Sequence, residues 1–350
     1  MLRRLLAVLL LPLTFSAMAE DATSSPTELV LYGWVDYIDD EVIAEFEQRF
    51  NAKLNLTYFE SEDTRDRTLF RTGGKGYDVF IVTGKDIDIY QKRGWILPLG
   101  EEKIPNIKYV TPRWIDAWPS AKEYAVPYLW GTTGIIYRSD LVKEEITSWK
   151  QFFKPLPYLK DKITIFDEYR TVIGFALKTL GYPFNSEDKV HLKEAQKLLF
   201  TLKPYVQTYG AFDLEEDSGI VTGDVWMGLG WNGDALALQE FNDSIRYVIP
   251  KEGGEIWVDY FVVSSQSKVP ELAIQFVNFM QEPRINAKNA ETMSYAASND
   301  KAKEFLSAEH LNNPVIYPDA EVLANSEFEL ALSSGRANRK QIMIWSKMTH

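Results

Sequence analysis

The chain has 350 residues, no cysteine, and 38 lysines and arginines against 50 aspartates and glutamates, for a formal charge of −12. That length accommodates two domains, and without cysteine they must be held by their cores rather than by disulfides. The acidity argues against nucleic acid and anionic membranes as partners and is compatible with steering cations.

Arg3 and Arg4 form a basic start, Leu5 to Phe15 an apolar run, and Ala17-Met18-Ala19 a small-x-small cleavage site. That order predicts a secretory signal peptide over residues 1–19. The apolar run is too short to span a bilayer, and no cysteine follows it to carry a lipid. The expected compartment is a bacterial periplasm.

Glu28 to Tyr32 predicts a buried strand, with Gly33 and Trp34-Val35-Asp36-Tyr37 at its carboxyl end. Asp39 is placed to cap a helix whose apolar face is Val42, Ile43, Phe46 and Phe50. Leu54 to Phe59 alternates as a second strand, and Thr64 to Arg71 reads as a short helix ended by Gly73-Gly74. Tyr77 to Val82 is a third strand that turns out through Thr83-Gly84, and Asp86 to Arg93 is helical. This alternation predicts a mostly parallel sheet with helices on both faces, where ligands bind beyond the carboxyl ends of strands. Trp34, Asp36, Tyr37 and Thr83 stand at such ends.

Residues 98–127 read as loop. Trp130-Gly131-Thr132-Thr133-Gly134 predicts either a crossing between lobes or a glycine turn, and Ile135 to Tyr137 a strand after it. Ile163 to Phe166 is a strand, followed by helices bearing Val172, Phe175, Ala176 and Leu180, and then Leu192 to Leu202. Asp213 to Asp217 is an acidic loop without calcium-loop spacing. Val225 to Trp231 predicts a buried strand ending in Trp231-Asn232-Gly233-Asp234, with a helix from Ala235. Trp257-Val258-Asp259-Tyr260 repeats the earlier tetrapeptide and leads into Phe261-Val262-Val263. Both copies set a carboxylate beside aromatic faces. A π face attracts a cation and a carboxylate accepts from an ammonium, so the pattern suits an organic amine.

Further stretches sharpen the pattern. They are Leu31 to Tyr37, Tyr77-Asp78-Val79, Pro127 to Gly131, Gly230 to Asp234, Pro250 to Gly254, Trp257-Val258-Asp259, Glu291 to Tyr295 and Tyr317 to Ala320. In this order and spacing they resemble the periplasmic polyamine-binding proteins of ABC transporters, the spermidine- and putrescine-binding group. The resemblance implies an α/β, two-lobe periplasmic binding protein, type II-like, with hinge crossings and a cleft that closes on its ligand. Lobe 1 would comprise 27–131 plus 257–312, and lobe 2 132–256 plus 313–350. The implied aromatic box is Trp34, Tyr37, Trp231, Trp257 and Tyr295, and the implied ammonium-binding carboxylates are Asp36, Asp234 and Asp259. Thr83, Glu168 and Glu329 complete the implied contacts; Glu168 replaces a shorter acid, and Glu329 stands near a position that is often an amide.

Two departures bear on ligand length. Lys85 stands where the spermidine binders carry an aromatic; a fixed cation there is unfavourable unless it points to solvent or pairs with Asp86 or Asp88. Thr171 stands where an acid would favour an internal or distal amine. The implied partners are a polyamine and an inner-membrane ABC permease, with a membrane-bound sensor as the alternative and a monomer as the working form. His191, His310 and His350 lie in polar or terminal settings and are expected at the surface, and no HExxH or metal-spaced cluster occurs. No catalytic residue, metal or cofactor is therefore expected. Trp faces with paired acids leave a glycoside-active enzyme as a less favoured reading.

Overall fold

The computed structural model describes residues 25–350, so the signal peptide expected over 1–19 lies outside the described residues. The strands are β1 (Thr27–Gly33), β2 (Ala52–Tyr58), β3 (Val79–Thr83), β4 (Val126–Arg138), β5 (Ile163–Ile165), β6 (Val206–Tyr209), β7 (Met227–Trp231), β8 (Ile245–Val248), β9 (Glu255–Val263), β10 (Ala296–Ala297) and β11 (Glu327–Phe328). They run in the order β2-β1-β3-β9-β4-β7-β5-β6, with β8 and β10 on β4 and β11 on β9. Each flank is parallel, β2-β1-β3 on one side and β7-β5-β6 on the other. The centre is antiparallel, because β9 pairs against both β3 and β4, and β4 pairs against β7.

Local chemistry sets the flanks. The Asp39 side chain accepts from the Glu41 and Val42 N–H groups and caps helix Asp40–Phe50, which buries Val42 and Phe46 one turn apart. The helix leaves through Asn51 at φ 47. Ser61 caps helix Glu62–Thr72 in the same way, through the Thr64 N–H. Asp78 ties β1 to the chain before β3 by accepting from the Val30 N–H at 2.8 Å.

There are two main cores. One gathers Phe46, Phe80, Tyr128, Val262 and Phe276; the other gathers Trp149, Phe152, Phe175, Leu229 and Trp345, with a small satellite around Ile136 and Leu238 beside it. The division falls inside β4, where Trp130 packs with the first core and Ile135 with the second. The architecture is thus two α/β lobes sharing a curled sheet, bridged by β4, by the start of β9 and by β11.

Four expectations need correction. The sheet is not mostly parallel: among the described residues five of its strand pairings are parallel and five antiparallel, because β4 and β9 run against their neighbours in the main strand order. Trp130 to Gly134 is no turn: β4 runs unbroken for 13 residues, pairing with β9 over its first part and with β7 and β8 over its second. Pairing on both sides overrides the poor strand propensity of its glycines. Residues 98–127 hold short helices, Gly100–Lys103, Pro112–Ile115 and Ala121–Tyr124, and a 3₁₀ turn at Pro105–Tyr109, each too brief to show a period. The helix expected from Ala235 starts at Asn232, whose side chain accepts from the Thr132 N–H at 3.0 Å.

Candidate functional site

The carboxyl ends of β1, β2, β3, β5 and β7 converge on one cavity of about 630 Å³, as expected for strand ends in such sheets. Trp34, Asp36, Tyr37, Thr83, Glu168, Trp231, Asp234, Trp257, Asp259, Tyr295 and Glu329 all line it. One face of β9 supplies Glu255, Trp257 and Asp259, since alternate residues of a strand point the same way.

The two Trp-Val-Asp-Tyr copies reach the cavity differently. The first is a turn beyond β1, with Asp36 in the left-handed region at φ 48 and exposed. The second lies within β9, where Asp259 is buried and Tyr260 turns into the lobe to donate to the Trp114 carbonyl at 2.6 Å. The repeat in sequence is therefore not a repeat in structure.

The aromatic residues hold one another. The ring centroids of Trp257 and Tyr295 are 4.8 Å apart, edge to face, and those of Tyr37 and Tyr295 are 6.0 Å apart. Trp34 meets Phe59 edge-on at 4.4 Å, and Trp231 stacks flat on Phe166 at 5.2 Å. Two glycines make room for the box. A Cβ on Gly131 would sit 2.3 Å from the Trp257 ring, and one on Gly233 would sit 2.5 Å from Tyr295. His310 is not at the surface: it is buried, and its Nε2 lies 3.1 Å from the Tyr295 carbonyl oxygen.

The acids fall into two groups. At the near end, beside the box, burial pushes Asp259 and Asp234 up to about 7; Tyr37 and Trp34 offset part of the rise at Asp259, and the Tyr295 hydroxyl, 3.2 Å from Asp234, offsets part there. At the far end, burial pushes Glu255 up to about 8, with the Glu329 charge adding to it, and raises Glu168 well above the usual carboxylate range. Among the described residues, none of these four carboxyls forms an ion pair.

The far end also holds a protein cation. Lys85 Nζ sits 2.5 Å from Glu62 Oε2 and 2.9 Å from Glu329 Oε1. Glu329 further receives Arg170 Nε at 2.9 Å and the Thr171 hydroxyl at 3.1 Å. Burial alone would depress Lys85, but Glu329 and Glu62 hold its ammonium well above the ordinary lysine value. Glu62 is held down at about 2, because the Lys85 and Arg65 charges outweigh its burial. Lys85 therefore neither points to solvent nor pairs with Asp86 or Asp88; Asp86 faces Arg65 instead. Among the described residues no cluster is suited to hold a metal ion.

The profile of the bacterial extracellular solute-binding proteins matches residues 41–316. The chain belongs to that family. This solute-binding protein is 30% identical over 330 residues to the spermidine/putrescine-binding periplasmic protein of Escherichia coli (strain K12), covering 93% of this chain and 92% of the relative. It is 27% identical over 361 residues to a putrescine/agmatine-binding protein of Pseudomonas aeruginosa, covering 98% and 97%. Its fold superposes with a TM-score of 0.80 on the spermidine/putrescine ABC transporter substrate-binding protein of Streptococcus pneumoniae, at 29% identity, covering 92% of this chain and 98% of that one. The family binds solutes for transport and is not one of enzymes, which removes the glycoside-active reading.

Four acids of this solute-binding protein's cavity escape the sequence reading: Glu60, Glu62, Glu240 and Glu255. Glu255 was legible in principle, two residues before Trp257 on the same alternation. Glu62 gives no such signal, because an acid in the first turn of a helix ordinarily faces water and the macrodipole.

Proposed function

We propose that the protein is a periplasmic polyamine-binding protein that takes a ligand of the putrescine/spermidine class between its lobes, closes on it and delivers it to an ABC permease. The observation that carries this reading is three buried carboxyls, Asp234, Asp259 and Glu255, and the half-buried Glu168, on one aromatic-lined cavity and without an ion-pair partner among the described residues. A buried carboxylate needs a partner, and an ammonium supplies one together with charge-assisted hydrogen bonds. The intervening methylenes lie along Trp and Tyr faces, which also attract the cation. The cleft acids come from both lobes: Asp259 and Glu62 on one side, Asp234 and Glu168 on the other. An amine between them neutralises repulsion across the cleft, and closure strengthens the new pairs by excluding water. The two separate cores favour lobes divided near Gly131 and Glu255. A permease is preferred over a sensor as the receiving partner because the similar Streptococcus pneumoniae protein is a transporter component.

Titration calorimetry on the mature protein tests the reading, with putrescine, cadaverine, spermidine and spermine against lysine and a disaccharide as controls. One-to-one binding of at least one amine and silence from both controls is expected. Silence across all four amines would sink it.

A further inference from the structure

Lys85 is an ammonium on a four-carbon stem, seated between two carboxylates at one end of an acidic cleft. That is the chemistry the cleft offers to a ligand, and the protein supplies it from its own chain. We propose that Lys85 is a specificity-determining residue whose ammonium occupies the far end of the cleft in place of a ligand ammonium, so that the site accepts a short α,ω-diamine in preference to a triamine or tetraamine. The inference rests on the polyamine reading above and names the length class within it.

Four observations carry it. Lys85 Nζ is held at 2.5 and 2.9 Å by Glu62 and Glu329, acids from widely separated parts of the chain, and its side chain is only 10% exposed. It lines the same cavity as Asp259 and Asp234 rather than an outer surface. It stands in the first turn of helix Gly84–Lys92, where the macrodipole disfavours a cation, so its placement is due to the two acids and not to the helix. Finally, its partners are satisfied without any ligand: the Thr83 hydroxyl donates to Glu62 at 2.8 Å, and Arg170 and the Thr171 hydroxyl hold Glu329.

The charge balance follows. Lys85 and Arg170 compensate Glu62 and Glu329, leaving the near-end pair Asp259 and Asp234, with Glu168 and Glu255 next to the Lys85 cluster, for the ligand. Along β9, Glu255 and Asp259 are about 13 Å apart at Cα, four residues at the usual strand rise. A chain long enough to carry a third ammonium down that face meets Lys85 and its like charge. A diamine held at the near end does not.

The test compares putrescine and spermidine by calorimetry on the wild type, Lys85→Met and Lys85→Arg. Methionine keeps the length and apolar stem but removes the charge; arginine keeps the charge. The wild type is expected to bind putrescine at least about tenfold more tightly than spermidine. Lys85→Met should shift that ratio toward spermidine by about tenfold or more, and Lys85→Arg should keep the wild-type preference. A wild type that prefers spermidine overturns the inference while leaving the polyamine reading intact, and so does an equal change for both amines in Lys85→Met. A wild type that binds neither overturns both. If Lys85→Met fails to fold, the wild-type ratio and Lys85→Arg still decide.

Discussion

Asp259 shows what one buried carboxyl does to both stability and binding. Its value of about 7 lies well above an ordinary aspartate because burial disfavours the charged form. Between the unfolded value near 4 and about 7, the folded state holds a proton that the unfolded state has released. The unfolding free energy therefore falls as pH rises through that window, and Asp234 adds a contribution of the same sign. Asp259→Asn removes the cost of ionisation, so the ligand-free variant should melt higher than wild type at pH 8 and lose that advantage at pH 5. It should also lose amine affinity by about 2–5 kcal/mol, the usual cost of truncating one member of a buried charge pair. Scanning calorimetry and titration calorimetry on the same preparations read the two opposite effects; a variant less stable at pH 8 would show that the carboxylate is well solvated. Linkage gives a companion expectation. An ammonium favours the ionised acids, so binding releases protons and tightens from pH 5.5 to pH 8. Titrations in buffers of different ionisation enthalpy measure that release, and affinity flat across the range would contradict the assignment of Asp234 and Asp259 to the ligand.

At the level of the elements, β4 and β9 do most of the positioning, and a small residue at their contact matters more than its size suggests. Gly131 leaves room for the Trp257 ring, and a Cβ there would also come within 2.4 Å of the Asn232 side-chain oxygen that anchors the next helix. Gly131→Ala should therefore destabilise the protein by about 1–3 kcal/mol, as overpacking does, and weaken amine binding by displacing Trp257. Gly210→Ala, whose Cβ would meet nothing within 4 Å, is the matched control and should change neither. Chemical denaturation and titration of the pair check this, and equal behaviour of the two variants would refute it. The same element explains what the sequence could reveal. The helix after β1 was legible because a capping aspartate and a periodic apolar face are local signals. The aromatic and acidic residues at strand ends were legible because they interrupt apolar runs in a recurring pattern. β4 was not, since its Gly-Thr-Thr-Gly stretch has no strand signal of its own and is extended only by partners far away in the chain. The seating of Lys85 was hidden for the same reason: Glu329 lies 244 residues from it. His310 was misread because a histidine among polar residues says nothing of the carbonyl it will meet.

At the scale of the whole molecule, the lobes have separate cores and meet through three strands whose hydrogen bonds run along the crossings, Gly131 with Trp257, Thr133 with Glu255, and β11 with the start of β9. Such a connection resists shear between the strands more than it resists a change in the angle between the lobes. A ligand shifts that angle only by the difference in its affinity for the open and closed forms. In the proposed binding mode the difference has a definite source: the cavity carboxyls, assigned there to both lobes, repel when ionised, and an ammonium between them would reverse the sign of the interaction. The radius of gyration of the ligand-free protein should therefore be larger at pH 8 than at pH 5, where the raised carboxyls are protonated. Saturating amine should reduce it at pH 8 and change it little at pH 5. Asp259→Asn should show a weaker response to the same amine. Small-angle X-ray scattering at matched ionic strength measures all three, and ionic strength must be held because salt screens the repulsion. A radius of gyration that does not respond to saturating amine at pH 8 would mean that the lobes are held at one angle by the crossing strands, and that the cavity fills without closing.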